Sequence, residues 1–167
     1  GDVTLSNSKL YQNECVNKGG AVNIQDDYTL IEGTLIYLNS SQGDGGGIFT
    51  SGKLKMVNCT LGSNTVPSGR NGAGIMVETG LDSSFLMNNI FYNTGDGVYK
   101  TNGKLVAYNN YFCEADVGLD IIRGSGNTFS DVDPFVDGDN FNYVLENTSD
   151  LIGSGIASTV FYGKTFN

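Results

Sequence analysis

The chain repeats one phrase, in which a short apolar run ending near an asparagine precedes glycines and another apolar residue. The copies cover 10–13 with 19–22, 36–39 with 45–48, 61–64 with 72–75, 90–93 with 95–98, and, degraded, 111–114 with 117–119. The apolar residue after the glycines is in turn Val22, Ile48, Ile75, Val98 and Leu119, at intervals of roughly 21–27 residues. Such a period is typical of a solenoid, in which each repeat forms one coil and successive coils stack.

The short apolar runs between these copies predict about three strands in each coil and almost no helix. The predicted coils are 3–28, 29–53, 54–82, 83–104 and 105–126. Equivalent strands should pair in parallel, so the apolar residues after the glycines should stack inside the solenoid. A second inner ladder is predicted from Leu10, Ile36, Leu61, Ile90 and Tyr111. Asn58, Asn88 and Asn109 precede that ladder, and we expect them to stack at a corner, because asparagine tolerates positive φ.

Residues 127–167 depart from the repeat. Two apolar runs flank Asp137-Gly138, which predicts a hairpin. The ends of a stack expose strand edges, so an atypical terminal segment is expected to cap one of them. We therefore predict coils over 1–126 and a C-terminal capping segment of the same domain over 127–167.

Composition narrows the chemistry and the partners. A net charge of −9 disfavours nucleic acid as a partner. No apolar run is long enough to span a membrane. The chain contains no histidine, so histidine-dependent nucleophiles and histidine-containing zinc sites are excluded.

The cysteines are too far apart to pair on this register. Cys15, Cys59 and Cys113 are separated by about two coils each, or about 9.6 Å at the usual strand spacing. A disulfide needs Cα atoms within about 7 Å, so we predict none.

The repeat and the tail resemble a known superfamily. Tyr11-Gln12-Asn13 followed by Gly19-Gly20-Ala21-Val22 is similar to the repeat of polymorphic outer-membrane adhesins, and 133–136, 142–145 and 151–155 resemble the C-terminal segment of related surface proteins. The chain thus resembles the right-handed parallel β-helix superfamily of bacterial secreted and cell-surface proteins. The resemblance implies an all-β fold, a short right-handed parallel β-helix of about five coils with a C-terminal hairpin cap, and a secreted or cell-surface location.

Enzymatic function would have to use carboxylates, lysine, arginine or tyrosine. A polysaccharide lyase needs a basic side chain beside a neutralised sugar carboxylate, and a glycoside hydrolase needs two carboxylates. The candidates are Asp96, Lys100, Asp116, Asp120 and Arg123, with the two aspartates of neighbouring coils at similar positions. No catalytic motif is met, so the interpretation leans away from an enzyme.

Two further groups of residues are candidates for binding. Tyr37, Tyr92, Tyr99 and Tyr108 would contact sugars or a protein partner if they point outward. Asp131, Asp133, Asp137 and Asp139 are weak calcium candidates, because their spacing differs from known calcium loops. Calcium is therefore the one cofactor left open.

Three functions remain in view at this point. The first is a non-catalytic extracellular module that acts as an adhesin, a stalk or a glycan-contacting scaffold, with a glycan or surface protein as partner. The second is a fragment of a polysaccharide lyase or glycoside hydrolase. The third is a filament subunit that associates end to end through its N-terminal coil.

Overall fold

A computed structural model describes residues 2–25, 28–117, 122–157, 159–161 and 164–166. The chain divides into two compact units, Gly1–Asp133 and Pro134–Asn167. The first ten strands are β1 (Val3–Ser6), β2 (Lys9–Tyr11), β3 (Glu14–Cys15), β4 (Val22–Ile24), β5 (Tyr28–Glu32), β6 (Leu35–Tyr37), β7 (Ser40–Ser41), β8 (Ile48–Thr50), β9 (Lys53–Val57) and β10 (Thr60–Gly62). The others are β11 (Ile75–Met87), β12 (Ile90–Tyr108), β13 (Tyr111–Val117), β14 (Ile122–Arg123), β15 (Thr128–Ser130), β16 (Phe135–Asp137), β17 (Asn142–Leu145), β18 (Thr159–Phe161) and β19 (Lys164–Phe166).

The first unit is a parallel solenoid with three faces. The first face joins β1, β5, β9, the C-terminal parts of β11 and β12, and β14. The second joins β2, β6, β10, the start of β12, the start of β13, and β15. The third joins β4, β8, the start of β11, the middle of β12 and the end of β13. The predicted all-β parallel solenoid with almost no helix is thereby confirmed.

The solenoid makes about four turns, against the five coils counted from the repeat. The fifth predicted coil, 105–126, includes residues 118–121, which lie outside the described part of the chain. Past residue 126, β15 still pairs in parallel with β13. The assignment of 127–167 as a cap stays a prediction.

Side chains alternate between the interior and the exterior, as pleated strands require. The inner ladder of the third face contains Val22, Ile48, Ile75, Val98 and Val117. The prediction of Leu119 as the fifth member was wrong, because Val98 pairs with Val117. Leu119 itself lies outside the described residues. The strand pairing skips one residue between Asp96 and Val98, and this irregularity moves the register.

The second inner ladder contains Leu10, Ile36, Leu61, Phe91, Phe112 and Phe129. The predictions of Ile90 and Tyr111 were each wrong by one residue. Phe91 and Phe112 are 0% and 2% exposed and their rings stack at 4.8 Å. In each pair both neighbours are apolar, so the pattern alone could not say which one faces inward.

Two corners turn the chain from the first face to the second and from the second face to the third. Each begins with a left-handed residue and continues with a residue that points into the stack. At the first corner the left-handed residues are Asn7, Gly33, Asn58, Asn88, Asn109 and Gly126. The predicted asparagine stack is confirmed, since the Asn109 side-chain amide donates to Asn88 Oδ1 at 3.0 Å.

The second unit contains the predicted hairpin. β16 pairs antiparallel with β17, and the 3-10 helix Gly138–Asn140 connects them. Phe141 ends that helix with a φ of 64°, in the left-handed region. A second antiparallel pair, β18 with β19, was not predicted.

Candidate functional site

The second corner carries a buried asparagine ladder in its first coils. Asn39 is 0% exposed; its Oδ1 accepts from the Asn13 side-chain amide at 2.9 Å, and its own amide donates to Asn64 Oδ1 at 3.0 Å. The same amide also donates to the Leu10 carbonyl at 3.0 Å. Asn39 thus bonds to the coil on either side of it and satisfies backbone groups at the corner.

The ladder stops at the fourth coil. In the next two coils, the position after the left-handed corner residue is occupied by Thr94 and Ala115 instead of asparagine, and a register shift pairs Ala115 with Gly95. Thr94 is 1% exposed, and its hydroxyl has no hydrogen-bond partner among the described residues. Buried hydroxyl groups are normally paired, so this one is an exception that asks for an explanation.

A cleft opens at the corner where the ladder stops. Its volume is about 300 Å³, and it is lined by Gly95, Phe112, Glu114, Ala115, Asp116, Phe129, Ser130 and Asp131. Phe129 ends the inner aromatic ladder, stacked on Phe112 at 4.9 Å with an interplanar angle of 11°. Its side chain is 47% exposed, so the cleft combines an aromatic surface with carboxylates.

Side-chain bonds from the second face hold the segment that brings Asp131 to the cleft. The Val132 carbonyl accepts from the Tyr111 hydroxyl at 2.7 Å and from Cys113 Sγ at 3.3 Å. The Tyr92 hydroxyl donates to Asp133 Oδ2 at 3.1 Å. The chain after β15 is therefore fixed across the outer side of the second face.

The cleft is negatively charged. Glu114, Asp116 and Asp131 are exposed, and the described residues of the lining include neither lysine nor arginine. Asp96 pairs with Asp116 in neighbouring strands. Carboxylates attract cations, accept hydrogen bonds from hydroxyl and amide groups, and repel anionic ligands.

The structure brings together two of the five catalytic candidates. Asp96 and Asp116 are adjacent, as predicted. Lys100 pairs with Val77 on the third face, whereas Arg123 pairs with Ala107 on the first. Asp120 lies outside the described residues.

The four candidate tyrosines do not form one row. Tyr37 stacks on Tyr11 with ring centroids 5.2 Å apart, and Tyr99 is half-buried on the third face. Tyr108 lies 5.9 Å from the ring of Phe85 on the first face. Tyr92 is 3% exposed and bonded to Asp133, so in this structure it offers little surface for binding.

The four calcium candidates divide between the two units. Asp131 lines the cleft and Asp133 accepts the tyrosine bond, while both oxygens of Asp137 accept from Asn140 at 3.0 and 3.1 Å. Asp139 lies in the 3-10 helix. Among the described residues, no three His, Cys, Asp or Glu side chains are grouped so that they could hold a metal ion. Calcium stays a prediction.

Glu114 and Phe129 were missed by the sequence analysis. A signal for Phe129 exists, because the segments 88–92, 109–113 and 126–130 share an asparagine at the second position and a phenylalanine at the fourth. That alignment makes Phe129 the next rung after Phe112. Glu114 follows no such pattern, and its place in the cleft depends on the fold.

Comparison with known proteins agrees with this geometry. The family model described as "Right handed beta helix region" matches residues 1–133. The chain therefore belongs to this family of right-handed β-helix proteins. No curated protein and no solved structure gives a significant match. Within the described residues, no helix has the length and apolar character needed to cross a membrane.

Proposed function

We propose that the chain is a non-catalytic extracellular β-helix module that contacts glycans through the cleft at the second corner. The observation that carries this proposal is the pairing of an exposed aromatic ring with carboxylates in one cleft. An aromatic face packs against the apolar C–H face of a sugar, and carboxylates accept hydrogen bonds from its hydroxyl groups. A volume of about 300 Å³ lies at the lower end of the range for small-molecule sites.

Calorimetric titration of the intact chain with the best ligand from a glycan array tests this proposal. Asp116→Asn keeps the size of the side chain but makes it a weaker acceptor of hydrogen bonds from sugar hydroxyl groups. We therefore expect about a tenfold loss of glycan affinity. Asp150→Asn is the matched control, since it changes an exposed carboxylate of the second unit. If no glycan binds at millimolar concentration, or if both variants bind like the wild type, the proposal is wrong.

A glycoside hydrolase is the second candidate, favoured by the register of Asp96 and Asp116. Neighbouring strands lie about 4.8 Å apart, and retaining hydrolases hold their two carboxyl groups about 5–5.5 Å apart. Release of reducing ends from neutral polysaccharides, abolished by Asp96→Asn, would support this candidate. A lyase is less favoured, because Lys100 pairs on the third face and Arg123 on the first.

End-to-end association is the third candidate. Among the described strands, β1, β2 and β4 each pair with one neighbour, and Val3 is 54% exposed. Parallel strand edges recruit further strands. Sedimentation across a hundredfold concentration range would reveal such association, and a constant monomer would exclude it.

A further inference from the structure

The first coil has three strands with a free edge. Among the described strands, β1 pairs only with β5, β2 only with β6 and β4 only with β8. These strands belong to the three different faces of the solenoid, so their free edges together form one end of the stack. A strand edge with unpaired N–H and C=O groups is a template for pairing with another strand.

The free edge of β2 presents the backbone groups of two residues. The Ser8 carbonyl accepts from the second coil at 2.9 Å, and the Gln12 N–H donates to it at 3.4 Å, so both positions face the second coil. Alternate residues of a parallel strand direct their backbone groups to opposite neighbours. Leu10 therefore also faces the second coil, whereas Lys9 and Tyr11 face the free edge.

The side chains at this edge complement each other. Tyr11 is 49% exposed, and its ring stacks on Tyr37 at 5.2 Å with an interplanar angle of 13°, so its other face is directed towards the free edge. Lys9 lies two residues before it, exposed on the same outer side of β2. An ammonium group is attracted to an aromatic face, as Lys18 is to the Phe49 ring at 4.2 Å.

The edge also belongs to the neutral part of an acidic chain. The first described segment, 2–25, contains two lysines and two carboxylates, whereas the net charge of the whole chain is −9. The entire negative excess is therefore carried by the rest of the chain. Two copies repel each other least when these neutral segments meet.

We propose that this edge binds the same edge of a second copy, in a closed head-to-head dimer. The inference rests on end-to-end association, the third candidate above, and is independent of glycan contact. A twofold axis through Leu10 pairs β2 antiparallel with β2 of the second copy, so that the free backbone groups of Lys9 and Tyr11 bond to each other across the interface. Each lysine then lies beside the tyrosine ring of the other copy. The same axis exchanges the first and third faces, so β1 pairs with β4 of the second copy.

The self-complementary pairing closes at two copies. An isologous interface uses the same patch on both subunits, so forming it consumes the free edge of each. A head-to-tail contact leaves one end open and can grow into a filament. The cleft is lined in part by residues of β13 and β15, at the other end of the second face from β2, so the interface does not cover it.

Sedimentation velocity of the intact chain across a hundredfold concentration range tests the size. We expect a monomer–dimer equilibrium that saturates at two copies. Lys9→Glu replaces the cation at two symmetric contacts, so the dissociation constant of the dimer should rise at least about tenfold. Arg70→Glu is the matched control, because it makes the same change of charge at an exposed position outside the first coil and should leave the dissociation constant unchanged.

A cross-link tests the position of the axis. Leu10 meets Leu10 of the second copy in a pair without hydrogen bonds, where Cα atoms lie about 4.5 Å apart, within the range of a disulfide. In a background of Cys15→Ser, which leaves two buried cysteines, Leu10→Cys should therefore yield a disulfide-linked dimer on mild oxidation. Thr128→Cys, at an exposed position at the other end of the second face, controls for random collisions.

The outcomes separate this inference from the functions proposed above. A constant monomer would overturn both the dimer and end-to-end association, and species larger than two copies would overturn the dimer alone. If Lys9→Glu leaves the dissociation constant unchanged, or if Leu10→Cys cross-links no faster than Thr128→Cys, the head-to-head arrangement is wrong. Each of these results leaves glycan contact untouched, because glycan binding is measured separately by calorimetry.

Discussion

The two corners of the solenoid use the same local geometry and differ in where their asparagines lie. At the first corner, the inward-pointing residues are Ser8, Thr34, Cys59, Asn89, Asn110 and Asn127. At the second corner they are Asn13, Asn39, Asn64, Thr94 and Ala115. The first corner has its asparagine ladder in the later coils, and the second corner has it in the earlier ones.

This difference shows what the ladder does and where it can be omitted. Asn110 and Asn39 each bond to the coils above and below, so each ladder ties successive coils together at one corner. In the later coils, the first corner has an asparagine ladder and the second corner does not. The cleft lies at this second corner, since it is lined by Gly95, Ala115 and Asp116. The first-corner ladder ties the later coils together. The second corner of the same coils can therefore lack the ladder hydrogen bonds where the cleft lies.

The largest effect is expected from glycine in the second corner. A Cβ on Gly46 would lie 2.5 Å from the Thr65 carbonyl oxygen and 2.6 Å from that of Ala73. Neither backbone group can move without disturbing the stack, so we expect Gly46→Ala to lower the free energy of unfolding by about 3–4 kcal/mol.

The matched variant is Gly95→Ala, in the part of this corner without a ladder. No atom lies within 4 Å of the position that an added Cβ would take, but the φ of Gly95 is +55°. The left-handed conformation alone should cost about 1–2 kcal/mol. Urea unfolding of both variants measures the difference, and equal losses would show that the close packing at Gly46 has no special role.

The second prediction removes a rung of the ladder. Asn39→Ala would remove the side-chain acceptor of the Asn13 backbone N–H and the side-chain donors to the Leu10 carbonyl and Asn64 Oδ1, although Asn64 Oδ1 would keep the backbone N–H of residue 39. Leaving buried polar groups unpaired should lower the free energy of unfolding by about 3 kcal/mol. Asn147→Ala, at an exposed asparagine, should change it by less than about 0.5 kcal/mol. Comparable losses at both positions would contradict the ladder's role.

The third prediction concerns pH and the first corner, where Cys59 occupies the ladder position. Its Sγ donates to the Val57 carbonyl at 3.2 Å, and burial raises the pKa of the thiol to about 11 from 9.0. The folded state therefore holds the proton more tightly than the unfolded state. This contribution is present in full below pH 9 and is lost as the pH rises from 9 towards 11.

The wild type should therefore lose about 2 kcal/mol more than Cys59→Ala between pH 8 and pH 11. Urea unfolding of both proteins at several pH values isolates the contribution of the thiol to the free energy of unfolding, because the tyrosines and lysines titrate in both proteins. Parallel stability curves would show that the thiol does not titrate differently in the two states.

The smallest effect is expected at Lys18, in the second-corner turn of the first coil. Its ammonium group lies 2.8 Å from Glu78 Oε2 and 4.2 Å from the centroid of the Phe49 ring. Both side chains of the ion pair are about 40% exposed, so Lys18→Gln should cost only about 0.5–1 kcal/mol. Salt should reduce the part due to the ion pair, which unfolding in low and high salt would measure. A loss above about 2 kcal/mol would contradict the small contribution expected of this half-exposed ion pair.

Much of the fold could be predicted because its signal is local and repeated. The apolar residue after the glycines predicted the third-face ladder correctly from Val22 to Val98. The predictions failed where two adjacent apolar residues compete for the interior, as at Ile90 and Phe91. There the choice depends on ring stacking between coils, which no single repeat encodes.

The site was predicted only in part. The adjacency of Asp96 and Asp116 followed from counting coils. Glu114 and Phe129 were missed, because the register of the last coil decides that they join these aspartates. The buried asparagine ladders were missed as well. The hydrogen-bond partners of each asparagine lie in the neighbouring coil, and a polar residue is not recognised as buried from the apolar pattern.

By itself, the sequence determined that this chain folds into stacked parallel coils, because period and alternation act in the same way in every repeat. The tertiary structure decided which of two neighbouring apolar residues points inward and where each asparagine ladder ends. The physical reason is that these choices are made by contacts between coils. Thr94, for example, is buried and its hydroxyl has no hydrogen-bond partner among the described residues, whereas Asn39 at the same corner bonds to the coils on both sides.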